Sequence, residues 1–161
     1  MNGHAEARAE GVALLAAAIE AIAAGTRRHL SLYVTRPEWD LWSAPAVIDA
    51  LRGFAVARSH REVRLLFLEA RGLARDHAAL VALSQRLPSL VMLREADPDS
   101  APPAPQAFVI GDHGDALLFD SGPRPAATRT GDAQRTRPLA ERFEDAWMRA
   151  RPLAEIRPLG I

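Results

Sequence analysis

The segment Val63-Arg64-Leu65-Leu66-Phe67-Leu68 is almost continuously apolar. Such a run reads as a central strand covered on both faces, the pattern of a parallel strand with helices above and below. A chain built around it is an α/β protein, and the flanking segments agree. Val12, Leu15, Ile19 and Ile22 follow the three-and-four spacing of an amphipathic helix, with Gly25 as its stop. Leu30 to Val34 alternates apolar and polar residues, with Tyr33 on the second face, and predicts a strand. Ser43 and Pro45 open a second helix whose buried stripe is Val47, Leu51 and Phe54.

Beyond the central strand, a third helix is expected from Asp76 to Leu87, with Leu80, Leu83 and Leu87 inward, and a third strand at Val91–Leu93. Residues 96–105 form a Pro-rich linker that can hold no regular element. Phe108–Ile110 and Ala116–Phe119 flank Gly111-Asp112-His113-Gly114-Asp115 and predict a hairpin. Residues 121–137, rich in Gly, Pro, Thr and Arg, are expected to be a flexible loop. A last helix follows near Thr136 or Arg137, with Leu139, Phe143, Ala146 and Trp147 inward. Strand, helix, strand, helix, strand, hairpin, helix gives a mixed sheet with helices on both faces. The expected organisation is an N-terminal helix over residues 1–27 and an α/β domain over residues 28–161. Its binding loops should lie at the carboxyl ends of the parallel strands.

Composition excludes several chemistries. All twenty basic residues are Arg. With no Lys there is no lysine nucleophile, Schiff base or P-loop lysine. With no Cys there is no disulfide, thiol nucleophile or cysteine-based zinc site, which fits a reducing cytoplasm. Twenty acidic residues balance the arginines, which argues against a protein whose main work is sequence-independent nucleic-acid binding. The Ala-rich run Val12–Ala24 is short, interrupted by Glu20, and preceded by Glu6, Arg8 and Glu10. It suits neither a membrane span nor a signal peptide.

The stretch Pro105 to Phe119 resembles the strand-turn-strand element that carries the catalytic motif of the phospholipase D-like family. That motif is a His, a Lys two positions on, and an Asp five positions after the Lys. On those offsets this chain has Pro105, Ala107 and Asp112, so only the Asp is present. Other features resemble a group of bacterial phospholipase D-like domains that lack the motif, some of them fused to acetyltransferases. These are a loop with Tyr33, Arg36 and Asp40, a His opening the third helix (His77), the strand Phe108 to Asp112, and Phe143 with Trp147 in the last helix. The resemblance covers roughly residues 30–151. It implies half of a phospholipase D-like pair, a homodimer formed across the hairpin face, and no cofactor or metal.

In the active family one His attacks phosphorus, a second protonates the leaving oxygen, the Lys stabilises the phosphoryl charge, and the Asp orients groups. Pro105 and Ala107 supply neither nucleophile nor cation. The resemblance therefore implies a non-catalytic binding, scaffold or accessory module, serving a neighbouring or fused enzyme or sensing a small anion. Arg36, Asp40 and Trp42 follow the first predicted strand, where a Trp beside an Arg suits a ring and an anion. The same residues also suit a lid, with Trp39 or Trp42 closing the core edge and Arg36 paired to Asp40. Arg71 and Arg75 precede His77 at a helix start that suits an anion, while His77 also suits capping or packing. The competing expectation is an enzyme acting on a phosphorylated or nucleotide substrate through Arg36, Asp40 and His77. A third is nucleic-acid binding through the loop from Arg124 to Arg137. His113, at the hairpin tip, reads as a turn residue.

Overall fold

A computed structural model describes residues 6–100 and 106–153. In chain order the elements are β1 (Ala7–Glu10), α1 (Val12–Ala24), β2 (His29–Val34), a 3-10 turn (Asp40–Ser43), α2 (Pro45–Ala57), β3 (Glu62–Phe67), α3 (Leu73–Asp76), α4 (Ala78–Arg86), β4 (Val91–Glu95), β5 (Phe108–Ile110), β6 (Ala116–Phe119), β7 (Ala126–Thr130), α5 (Ala133–Arg149) and β8 (Arg151–Pro152). The strands form one mixed sheet in the order β1-β7-β6-β5-β2-β3-β4-β8. Its centre is the parallel trio β2, β3 and β4; every other pairing is antiparallel.

The central strands sort their side chains by the two-residue period of a pleat. Leu30, Leu32 and Val34 of β2 and Val63, Leu65 and Phe67 of β3 join the core beneath α1, α2 and α4. Tyr33 of β2 and Leu66 of β3 face the opposite way, with Phe108, Ile110 and Leu118, into the core beneath α5. The α5 stripe that covers them is Phe143, Ala146 and Trp147, the three-and-four spacing of one helix face. Arg64 takes the place of an apolar residue on this face and is only 7% exposed. The fold is thus α/β, with three longer helices on one face of a mixed sheet and one on the other.

The first helix spans Val12–Ala24, is preceded by the edge strand β1, and shares its core with α2 and α4. Three expectations change. The third helix is broken at His77, whose backbone (φ −132°, ψ 54°) leaves the helical region and separates α3 from α4. Most of residues 121–137 is regular structure. Ala126–Thr130 is a strand between β6 and β1, and α5 begins at Ala133. The early helix start has a clear cause: the Asp132 side chain accepts from the Gln134 amide at 3.0 Å, a helix cap that leaves Pro138 inside α5. Of the Pro-rich linker, Pro105 and its four predecessors lie outside the described residues. No helix among the described residues is long and apolar enough to cross a membrane.

Candidate functional site

The carboxyl ends of β2 and β3, the entry to β5 and the exit from β6 meet at one edge of the sheet. Antiparallel pairing of Tyr33 with Phe108, and of Phe108 with Leu118, brings these ends together. They enclose a cleft of about 260 Å³ lined by Thr35, Arg36, Leu68, Gln106, Ala107, Asp120 and Ser121. This is where an open α/β sheet offers a ligand site. Arg36 crosses the cleft: one Nη donates to the Ser121 carbonyl at 2.8 Å, the other to Glu38 at 3.4 Å. Gln106 donates to the Phe119 carbonyl at 2.9 Å. Asp120 is paired with Arg8 of β1 through both carboxylate oxygens, and that guanidinium holds its carboxyl below the usual range. The charge left to the cleft is therefore that of Arg36, which shares its guanidinium with Glu38 and a carbonyl.

The loop that carries Arg36 is held from beneath. Trp42 donates its indole N–H to the Arg36 carbonyl at 2.9 Å, and Trp39 donates to the Pro123 carbonyl at 3.1 Å. Both rings pack on Phe119 with centroids 5.6 Å away. Trp42 is 1% exposed, so its ring faces the core and offers no surface to a ligand. His77 is 2% exposed and its Nε2 donates to the Pro37 carbonyl, which ties the start of α4 to the same loop. The Nδ1 of His77 is buried without a partner among the described residues. This arrangement matches the lid reading for the tryptophans and differs from it at Arg36, which meets Glu38 and not Asp40.

The remaining sequence candidates lie apart from the cleft. Asp40 is exposed at the start of the 3-10 turn. Arg71 and Arg75 are also exposed; Arg75 donates to the neighbouring Asp76 at 3.1 Å, and Arg71 lies near Glu95. Glu95 itself is held below the usual carboxylate range by the Arg151 guanidinium at 2.6 Å and by the Ala70 amide at 2.9 Å. Arg36, Asp40 and His77 thus do not converge on one reacting point. Asp40 is exposed, Arg36 lies in the cleft, and the His77 ring is buried behind Pro37.

The three motif positions are likewise divided. Ala107 is 3% exposed and lies on the cleft wall. Asp112 lies at the far end of β5, about 17 Å away for five residues of extended chain. Its carboxylate accepts from the backbone amides of Arg27, Arg28 and His29 at 3.0, 2.6 and 3.2 Å. Burial alone would raise its pKa, but the three N–H groups outweigh burial and hold it below the usual range. Asp112 is thus a clasp on the turn from α1 into β2. Pro105 lies outside the described residues.

Gln106, Asp120 and Ser121 were not singled out from sequence. The hairpin could have found them, because its register places residue 120 opposite 106 and residue 119 opposite 107, with Ser121 next in the chain. For Arg8 no sequence signal was present.

Comparison with known proteins follows from this geometry. Residues 12–159 match the sequence model of a family described as a domain of unknown function, DUF7931. No curated protein matches the sequence. Among solved structures, the fold is similar to Nuc, a phospholipase D family member from Salmonella typhimurium. The TM-score is 0.61 at 12% identity, over 93% of this chain and 98% of that one. NucT from Helicobacter pylori is similar at a TM-score of 0.59 and 11% identity, over 93% and 99% of the two chains. TrmBL2, an archaeal chromatin protein whose structure shows a novel mode of DNA binding, is similar at a TM-score of 0.61 and 11% identity. That match covers 92% of this chain and 55% of TrmBL2, so the chain spans just over half of that protein. At these identities the likeness establishes a phospholipase D-like fold.

Proposed function

The chain belongs to the DUF7931 family, a domain of unknown function, and on that footing we propose that it is a phospholipase D-like module that works by binding a small anion, without phosphodiester transfer. The observation that carries this reading is the lining of the cleft at the carboxyl edge. Ala107 presents a methyl group where the family resemblance expects a lysine, and among the described residues no His lines the cleft. Arg36 is the one cation of that lining, and the hydroxyls of Thr35 and Ser121 stand beside it. A guanidinium flanked by hydroxyls suits a phosphate or carboxylate oxygen, held at an edge that stays open to solvent. Among the described residues this lining holds neither the His nor the Lys of the family mechanism, and its one carboxylate, Asp120, is committed to Arg8.

Titration of inorganic phosphate, followed by amide chemical shifts, tests this reading. Binding in the millimolar range is expected, with shifts at residues 35, 36, 106, 107 and 121, and Arg36→Ala should weaken it by about tenfold, the worth of one charge-assisted contact. Equal binding by wild type and Arg36→Ala would contradict it.

The module is proposed to act as a homodimer, or as an accessory to a neighbouring or fused enzyme. The open edge gives the chain one face on which a second copy or a partner could complete the cleft. The alternative of a relocated enzyme site has less to support it, since a His77 ring that donates to Pro37 from within the core is out of reach of a substrate in the cleft.

A nucleic-acid role is favoured by one observation, the fold likeness to a DNA-binding chromatin protein. The segment proposed for it carries less free charge than its composition suggests. Arg129 is paired with Asp115 at 2.6 Å and Arg135 with Glu6 at 2.5 Å, which leaves Arg124 and Arg137 exposed. Affinity for a DNA duplex that falls steeply with salt would support that reading over the small-anion one.

A further inference from the structure

A second cavity, of about 450 Å³, lies at the opposite end of the sheet, between the start of β2 and the first half of α5. Its volume is in the range of small-molecule sites. The floor is apolar, made by Ile110, Gly111, Ala140 and Phe143, with Ile110 and Phe143 buried. The polar wall is unusual for its sign. Three carboxylates line it, Asp112, Glu141 and Glu144, against one guanidinium, Arg64, and one imidazole, His29.

The two terminal nitrogens of Arg64 are already committed, while its buried Nε has no partner among the described residues. It donates to both oxygens of Glu144 at 2.8 and 2.7 Å and to Ser31 Oγ at 3.1 Å, and its guanidinium lies 5.3 Å from the centroid of the Phe143 ring. Glu144 is held in its ionised form by that guanidinium, and Asp112 by its three backbone amides. With Arg64 and Glu144 cancelling, Asp112 and Glu141 leave an excess of negative charge over an apolar floor. Asp112 is partly covered, with a side chain 26% exposed; Glu141 stands at the open rim and has no ion-pair partner among the described residues. His29 sits 3.6 Å from Glu62, which lies outside the cavity lining, and also lies near Glu144, while His113 sits 3.8 Å from Asp112.

We propose that this cavity is a binding site for a small organic cation, an ammonium group carried on an apolar or aromatic body. The body would lie over Ala140, with Ile110 and Phe143 beneath it, and the ammonium would lie toward Glu141 and Asp112. An anion of the same shape meets the carboxylates of Glu141 and Asp112, of which Glu141 has no ion-pair partner among the described residues, and is disfavoured by them. The site is independent of the carboxyl-edge cleft, because β5 places Asp112 and Ala107 at opposite ends of the sheet.

The experiment is calorimetric titration of the full chain with 2-phenylethylamine and, separately, with 3-phenylpropanoate, near neutral pH and low salt. The amine is expected to bind and the carboxylate to bind at least tenfold more weakly. Glu141→Gln, a change at an exposed position, is expected to weaken the amine by about fivefold, the worth of a partly exposed ion pair. Ala140→Trp, which fills the mouth of the cavity from α5, is expected to abolish binding. An unchanged circular dichroism melt separates both effects from misfolding. The proposal is overturned if the amine does not bind, if the carboxylate binds as tightly, or if both variants bind the amine as wild type does.

Discussion

Asp112 and Gly111 show how much of this fold rests on two adjacent turn residues. Gly111 passes so close to α1 that a Cβ would lie 2.2 Å from Thr26 Oγ1, and that hydroxyl is fixed by its bond to the Ile22 carbonyl at 2.7 Å. Gly111→Ala is expected to destabilise the chain by roughly 1–3 kcal/mol, as overpacking does. Thr26→Ala in the same chain should recover part of that loss, a coupling that a double-mutant cycle in urea would read. Asp112→Ala leaves three backbone amides without their acceptor, at a cost of about 2–3 kcal/mol. The sign of its pH dependence follows from a carboxyl held below its unfolded value. The stabilisation is present above about pH 4, the unfolded aspartate range, and is lost as the pH falls through the lower folded value. Wild type should therefore lose stability on acidification in a way that Asp112→Ala does not, and parallel acid titrations of the two would contradict the clasp. The sequence marks both residues as turn formers, and the family resemblance adds only that Asp112 stands at the motif aspartate position. The amides that Asp112 holds lie more than eighty residues away, and only the sheet brings them near.

At the scale of elements, legibility followed hydrophobic period. The strand at Val63, the hairpin, and the Phe143–Trp147 helix face were readable because their apolar spacing matched the pleat or the helix. Ala126-Ala127-Thr128-Arg129-Thr130 was not readable, since two alanines and an arginine carry no period, and β7 exists because β6 and β1 pair with it on either side. The loop before it is pinned as well, by Arg36 on Ser121, Trp39 on Pro123 and the Gly11 amide on Pro125. Trp39→Phe keeps the packing on Phe119 and removes the indole N–H. It should cost about 1 kcal/mol and speed amide exchange in residues 120–126 while leaving β2 and β3 protected. Exchange that stays slow in that loop would show that the indole bond does not hold it.

For the whole molecule, the mixed sheet and its carboxyl edge were legible, because parallel strands joined by helices allow few topologies. Which residues share that edge was only partly legible: Arg36 and Ala107 were named in advance, whereas Gln106, Asp120 and Ser121 depended on hairpin register. The proposed dimer belongs to this scale, and light scattering at micromolar concentration should give about twice the 17.5 kDa chain mass; a monomer alone would remove the paired arrangement. The central claim is that this phospholipase D-like fold binds without turning over a phosphodiester. Its most direct test is release of p-nitrophenolate from bis(p-nitrophenyl) phosphate by the purified full chain. The expected rate equals that of buffer, in wild type and in Arg36→Ala alike. Turnover above buffer that His77→Asn abolishes, with the thermal melt unchanged, would contradict the account.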